Sequence, residues 1–123
     1  MLDESYPERF RTLCQEAGQR GWRRVIMLGD DLREGPYTLK ACLAQAGVMV
    51  FVPGPRDRMW LQGLADGVRA GEVPNEASLA RLAAMLAEGM EHGVNGLVVT
   101  DPAVLALVRT CANGAPIFDV TEV

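Results

Sequence analysis

Aspartate side chains follow several of the segments whose composition is typical of buried strands. Carboxylates that converge on one rim could hold Mg²⁺, which prefers hard oxygen ligands. The alternative interpretation is structural, because aspartate commonly caps helices and occupies turns. The aspartates in question are Asp30 and Asp31 after the segment 25–28, Asp101 after 96–100, and Asp119 within 116–120.

Arginines fall in the same or neighbouring loops. Arg33, Arg56 and Arg58 could meet an anionic group above the helix N-termini at Pro36 and Pro102, where unpaired backbone amides favour negative charge. The alternative is that they are solvated, as loop arginines commonly are. The candidate ligand-binding residues are therefore Asp30, Asp31, Arg33, Arg56, Arg58, Thr100 and Asp101.

Other chemistry has less support in the residues. The thiols of Cys14, Cys42 and Cys111 lack Cys-x-x-Cys spacing, and a single histidine, His92, cannot anchor a histidine-rich site. Neither a disulfide framework nor a metal site built on these residues is predicted. The sequence contains no phosphate-cradle motif and no Gly-x-Ser-x-Gly elbow, so no cofactor and no catalytic residue can be named, and enzymatic activity is left open.

The three cysteines lie on the apolar stripes of predicted helices, which favours a place in the core. Cys111 is the exception to examine, since it falls in a last helical turn beside Asn113 and Gly114 and could be an exposed, reactive thiol. His92 closes a helix, where a structural role is expected.

Four apolar runs separated by helical patterns must position these side chains. Strands are predicted over 25–28, 48–52, 96–100 and 116–120. Helices are predicted behind the capping-box pair Ser5 and Glu8, from Pro36 to Gly47, over 58–70, from Asn75 to Gly93, and after Asp101. This alternation predicts a small doubly wound α/β fold, flavodoxin-like or Rossmann-like, with about four parallel strands in the order 2-1-3-4, three layers and an added N-terminal helix.

In such a sheet a ligand binds beyond the carboxyl ends of the strands, where the winding direction reverses. That point lies between strands one and three. The loop 29–35 and Thr100 to Pro102 border it, with Pro53 to Arg58 alongside.

Composition sets the broad class. A length of 123 residues with 49% hydrophobic residues fits a single domain, 1–123, on which residues 1–21 pack as an extension. The net charge of −4 and the scattered arginines argue against nucleic acid as the partner. No apolar run approaches the ~20 residues of a membrane span, and the first residues are acidic, so a cytoplasmic location without membrane contact is expected.

Two family resemblances follow from these patterns. Val25 to Asp31 resembles the first strand and acid pair of response-regulator receiver domains, which implies Mg²⁺ beside a phosphorylated aspartate, although no lysine follows Lys40. The layout from Val25 to Asp101 is similar to the DsrE-like sulfur-relay family, with Ala77 to Leu97 as its long helix and third strand. That resemblance implies a subunit that assembles with copies of itself or with a partner. The family's cysteine is replaced by Thr100-Asp101-Pro102.

Large apolar side chains crowd one glycine-broken helix and are either an interface or ordinary core. They are Met59, Trp60, Leu61, Leu64 and Val68. The first hypothesis is therefore a non-catalytic binding or assembly subunit, a homo-oligomer or one with a protein partner. The alternative is a receiver-like or enzymatic domain that binds Mg²⁺ or a phosphorylated small ligand, an anion, at the acidic rim.

Overall fold

The computed structural model describes residues 4–28, 38–111 and 119–122, the last of these as backbone only. Helices and strands alternate along the chain, as the apolar runs predict. The elements are α1 (Glu8–Gln19), β1 (Arg24–Leu28), α2 (Leu39–Gln45), β2 (Met49–Phe51), α3 (Pro55–Arg69), α4 (Glu76–Glu91), β3 (Gly96–Val99), α5 (Pro102–Cys111) and β4 (Asp119–Glu122).

The four strands form one parallel sheet in the order β2-β1-β3-β4, which confirms the predicted order. In the register, Ile26 of β1 lies beside Phe51 of β2 on one side and Leu97 of β3 on the other. Beyond β3, Leu97 lies beside Val120 of β4. Parallel neighbours require crossover helices, and the chain provides them between β1 and β2, β2 and β3, and β3 and β4.

Helices cover both faces of the sheet because successive strand residues point to opposite sides. Val25 and Met27 belong to the core cluster that α1 and α2 cover. Ile26 and Leu28 belong to the cluster beneath α3, α4 and α5. The predicted three-layer α/β fold is confirmed. Among the helices the structure describes, none is both long and apolar enough to cross a membrane.

Two predicted helix starts differ from the structure. Ser5 does not occupy the cap position: α1 begins at Glu8, and Pro7 is its cap residue, without a side-chain hydrogen bond. Tyr6 precedes a proline and therefore avoids helical backbone angles, so the helix does not begin at Tyr6 as a cap at Ser5 would require. Helix α3 begins at Pro55 instead of Arg58, because proline is well suited to a first helical turn.

Other predicted ends are found where expected. The Asn75 side chain accepts a hydrogen bond from the Ser78 amide at 2.8 Å, as a helix cap should. Gly47 adopts a left-handed φ of 84° where α2 ends. The predicted start at Pro36 lies outside the described residues, whereas Thr38 caps α2 by accepting from the Ala41 amide at 3.2 Å.

Gly96 is the tightest point of the sheet. A Cβ placed there would lie 2.8 Å from the Trp22 ring and 2.9 Å from a Val25 methyl carbon. Because both neighbours are buried, we expect Gly96→Ala to lower the free energy of unfolding by about 1–3 kcal/mol through overpacking. Urea denaturation measures the loss.

Gly63 provides the matched control for that substitution. It lies on α3 with open space where its Cβ would be. Gly63→Ala should therefore stabilise the protein by about 0.5–1 kcal/mol, from helix propensity alone. If Gly96→Ala were as stable as Gly63→Ala, the close packing of Trp22 on β3 would be contradicted.

Candidate functional site

The predicted switch point is held together by Thr100. Its backbone amide donates to the Leu28 carbonyl at 2.9 Å, which ties the carboxyl end of β3 to that of β1. The Thr100 hydroxyl donates to the same carbonyl at 3.4 Å. The two strand ends bordering the predicted crevice are thus joined by one half-buried residue.

Asp101 is buried directly behind this junction, with 5% of its surface exposed. Its Oδ1 accepts from the Ala103 amide at 2.9 Å, which confirms the predicted cap on α5. Arg69 of α3 donates from Nη1 to both carboxylate oxygens, at 2.9 and 2.7 Å. The structural interpretation of Asp101 is therefore met in full, and its role as a ligand-binding residue stays a prediction.

Arg69 shares its charge between two acids. Besides Asp101, it contacts the exposed carboxylate of Asp66, with Nη2 at 2.6 Å from Oδ1. The hydrogen bonds that Arg69 donates to Asp66 and to Asp101 raise the pKa of Arg69 above its ordinary value. In turn, the hydrogen bond from Arg69 lowers the pKa of Asp66. Arg69 was not among the predicted site residues, because its partner lies 32 positions along the chain.

Arg56 and Arg58, which the sequence treats alike, occupy different environments. Arg56 is exposed, whereas Arg58 is half-buried. Arg58 lines a cavity of about 20 Å³ with Gln62, at the carboxyl ends of β1 and β2. That volume is about enough for one water molecule. The remaining wall is apolar and consists of Met27, Leu28, Pro53, Leu61 and Val104.

Three predicted site residues, Asp30, Asp31 and Arg33, lie outside the described residues, as does the whole loop 29–35 that contains them. The magnesium hypothesis depends on that acid pair. Within the ranges 4–28 and 38–111, no three His, Cys, Asp or Glu side chains come together as metal ligands would. The metal interpretation therefore remains untested.

A larger cleft of about 240 Å³ opens on the α4 side of β1 and β2. Most of its wall is apolar, with Ile26, Phe51 and Leu86 among the lining residues. His92 also lines it. The His92 backbone carbonyl accepts from Arg24 Nη1 at 2.8 Å, and the structural role expected of the His92 side chain stays a prediction.

The predicted interface residues divide between core and surface. Leu61 is buried, and Trp60, Leu64 and Val68 are half-buried against the same core cluster. Met59 is 77% exposed. With Val73, which is 90% exposed, it borders a groove of about 460 Å³ whose lining includes Gly63 and Gly67. We name this surface, made of Met59, Trp60, Gly63, Leu64, Gly67, Val68 and Val73, the α3 groove.

Cys111 is half-buried, and its thiol donates to the Leu79 carbonyl at 3.3 Å. Burial raises its pKa, so the reactive thiolate is disfavoured at neutral pH. Cys14 and Cys42 are buried, as the helical stripes predict.

Comparisons with known proteins identify the fold but no family. No protein-family model matches the chain, and no curated protein matches it. The structure is similar to a crystal structure from Yersinia pestis described as a "putative Asp/Glu Racemase", with a TM-score of 0.67 and 20% sequence identity. The match covers 86% of this chain and 46% of that chain, so this chain spans about half of the neighbour's length.

The predicted DsrE-like resemblance is therefore wrong, because the neighbouring structure points to a different family. The error has a physical origin. Strand, loop, helix and second strand recur in every open parallel sheet, so a layout without a shared site motif cannot distinguish one such family from another.

Proposed function

We propose that this chain is one α/β unit of an enzyme and that it binds a small carboxylate-bearing ligand at the carboxyl end of its sheet. The observation that carries the proposal is the half-buried Arg58, which lies at the end of β1 together with Gln62. The cavity of about 20 Å³ that they line has room for one water molecule, so the ligand would lie over this cavity and not inside it. Arginine matches the geometry of a carboxylate with two parallel hydrogen bonds. The neighbour's name, an Asp/Glu racemase, suggests an amino dicarboxylate as the ligand class.

Two further features support this location. The N-terminus of α3 begins at Pro55 beside Arg58, and unpaired amides at a helix start favour an anion. The negative charge of Asp101 is balanced by Arg69 at 2.7 Å, so it repels an incoming carboxylate less than a lone acid would. The proposal includes one domain, with α1 packed on it, and a cytoplasmic location.

Replacing Arg58 tests the proposal. We expect aspartate or glutamate to raise the melting temperature of the wild-type protein, and Arg58→Gln to weaken binding by roughly 10-fold to 100-fold, as the loss of a charged hydrogen bond implies. Arg56→Gln is the matched control, because Arg56 is exposed in the same helical turn. Isothermal titration with each enantiomer, inorganic phosphate and Mg²⁺ measures the affinities.

Each result has a clear meaning. Equal weakening by Arg56→Gln and Arg58→Gln would contradict a defined site at Arg58. Binding of Mg²⁺ or phosphate without any amino acid would favour the receiver-like alternative. Catalysis is measured separately, by the loss of the Cα proton signal of aspartate in D₂O. Binding without proton exchange would reduce the proposal to a binding unit.

A second candidate function is assembly of the chain into a homo-oligomer through the α3 groove. It is favoured by the exposure of Met59 and Val73 beside a glycine-lined groove. One surface thus carries both projecting side chains and a recess, which is what a two-fold interface between identical copies requires. Since the chain spans about half of its neighbour's length, a second copy could supply the other half of an enzyme.

Met59→Glu tests the assembly. We expect a wild-type dimer and a monomeric Met59→Glu variant in sedimentation velocity, because a buried unpaired carboxylate is costly. Met49→Glu is the control, since Met49 is 54% exposed on β2, outside the α3 groove. A wild-type monomer at high protein concentration would contradict the assembly.

A further inference from the structure

Two buried thiols meet between the first two helices. Cys14 lies on α1 and Cys42 on α2, and their Sγ atoms are 3.3 Å apart. Both side chains belong to one core cluster, with 5% and 0% of their surfaces exposed. The proposed function involves neither of these thiols.

We propose that Cys14 and Cys42 are an oxidation site at which hydrogen peroxide converts the two thiols into an intramolecular disulfide that joins α1 to α2. A disulfide has a sulfur separation of about 2.05 Å, so the two atoms must approach by little more than 1 Å. Side-chain rotation of the two cysteines is the movement that the proposal requires. Cys111 cannot compete as partner, because its thiol lies on α5, across the sheet from α1 and α2.

The reaction balances in two steps. The Cys42 thiolate attacks one peroxide oxygen, forms a sulfenic acid and releases hydroxide, which takes up the proton lost from Cys42. The Cys14 sulfur then attacks the sulfenic sulfur, the S–S bond forms, and the sulfenic oxygen leaves as water with the proton from Cys14. Two thiols are oxidised, one peroxide is reduced, and two water molecules result.

Burial raises the pKa of both thiols, so the attacking thiolate is a minor species at neutral pH and becomes commoner as the pH rises. At Cys42 the contact with Cys14 and the charge of Arg11 lower the pKa against that rise, which favours Cys42 over Cys14 as the attacking sulfur. Burial, and then the hydrogen bond and charge of Cys42, raise the pKa of Cys14. Either sulfur can be the donor in this contact. In the described part of the chain, Arg11 Nε is buried and has no hydrogen-bond partner, and the positive charge of Arg11 favours a thiolate at Cys42.

Mass spectrometry of the full chain tests the proposal. The Cys111→Ser variant removes the third thiol and retains a donor for Leu79. After treatment with hydrogen peroxide, we expect Thr12–Arg20 and Ala41–Arg56 to appear as one linked tryptic pair, lighter by 2 Da than the sum of the two reduced peptides. Met49 in the second peptide is exposed, so oxidation of Met49 to its sulfoxide does not contradict the proposal.

The proposed disulfide should also change the melting temperature, and its rate of formation should depend on Arg11 and on pH. The oxidised protein should melt roughly 5–10 °C higher than the reduced protein, because a cross-link restricts the unfolded chain, and dithiothreitol should reverse the rise. Arg11→Gln should slow formation of the pair, and raising the pH from 7 to 9 should speed it. Adding Cys42→Ser to the Cys111→Ser variant should abolish it.

Three results would overturn the inference. The first is that both thiols remain free in the folded protein while the linked pair forms readily in urea. The second is that oxidation stops at separate sulfinic acids. The third is that the linked peptides come from two molecules, seen as a dimer on a non-reducing gel. A Cys14→Ser variant, which has a single thiol of the pair, provides the reference for each.

Discussion

Asp101→Ala should lower the free energy of unfolding by about 2–4 kcal/mol. The substitution removes a helix cap, worth about 0.5–2 kcal/mol, and charge-assisted hydrogen bonds, worth about 1.5–3 kcal/mol each, in a side chain with 5% of its surface exposed. It also leaves Arg69 with the exposed Asp66 as its remaining acid partner. Chemical denaturation at neutral pH, with circular dichroism as the readout, measures the change.

Companion variants separate the two contributions. Asp101→Asn keeps an acceptor for the Ala103 amide and loses only the charge, so it should be less destabilising than Asp101→Ala. Asp66→Asn is the control, because that carboxylate contacts the same arginine from an exposed position, where ion pairs contribute little. Arg69→Gln combined with Asp101→Asn should cost less than the sum of the two single changes. Strict additivity would contradict the contact.

Asp101 also shows what the sequence could predict. Its role as a cap is a local property, readable from the aspartate before Pro102 at the start of an apolar helical stripe. Its partner Arg69 is not local, because the contact exists only after α3 and α5 pack on the same face of the sheet. A single sequence contains no spacing that pairs these two positions.

The same distinction holds across the fold. Strand order follows from the apolar runs and the handedness of crossovers, and it was predicted in full. Helix starts near prolines depend on competition between backbone preference and side-chain capping. Pro7 is the cap residue of α1, so the helix begins at Glu8, later than a cap at Ser5 predicts. Pro55 occupies the first position of α3, so that helix begins earlier than predicted.

The two arginines at the start of α3 differ in their burial. Arg56 and Arg58 are two positions apart with the same chemistry, yet only Arg58 lines the cavity at the end of β1. Which side of α3 faces β1 is fixed by its packing against the core, with Leu61 and Ala65 buried. The sequence predicts both arginines as candidates without distinguishing them, and the packing of α3 places them in different environments. The proposed ligand site therefore depends most on Arg58.

Alkaline conditions should destabilise the protein through Cys14. Burial, then the hydrogen bond and charge of Cys42, raise the pKa of Cys14 from 9.0 to about 12. Between these values the unfolded thiol loses its proton while the folded one retains it, so stability is fully present below pH 9 and falls as the pH approaches 12. One such proton lowers the free energy of unfolding by up to about 1.4 kcal/mol per pH unit, or about 2–4 kcal/mol in total.

The change in slope with pH, not the absolute stability, identifies the thiol. Cys14→Ala leaves a small cavity at every pH, and it should flatten the decline between pH 9 and 12 because the titrating group is gone. Val48→Ala is the control, since Val48 is buried in the same core cluster and does not titrate. It should lower stability uniformly and leave the slope unchanged. If Cys14→Ala and the wild type lost stability in parallel, the buried thiol would not be the group that makes this core sensitive to alkali.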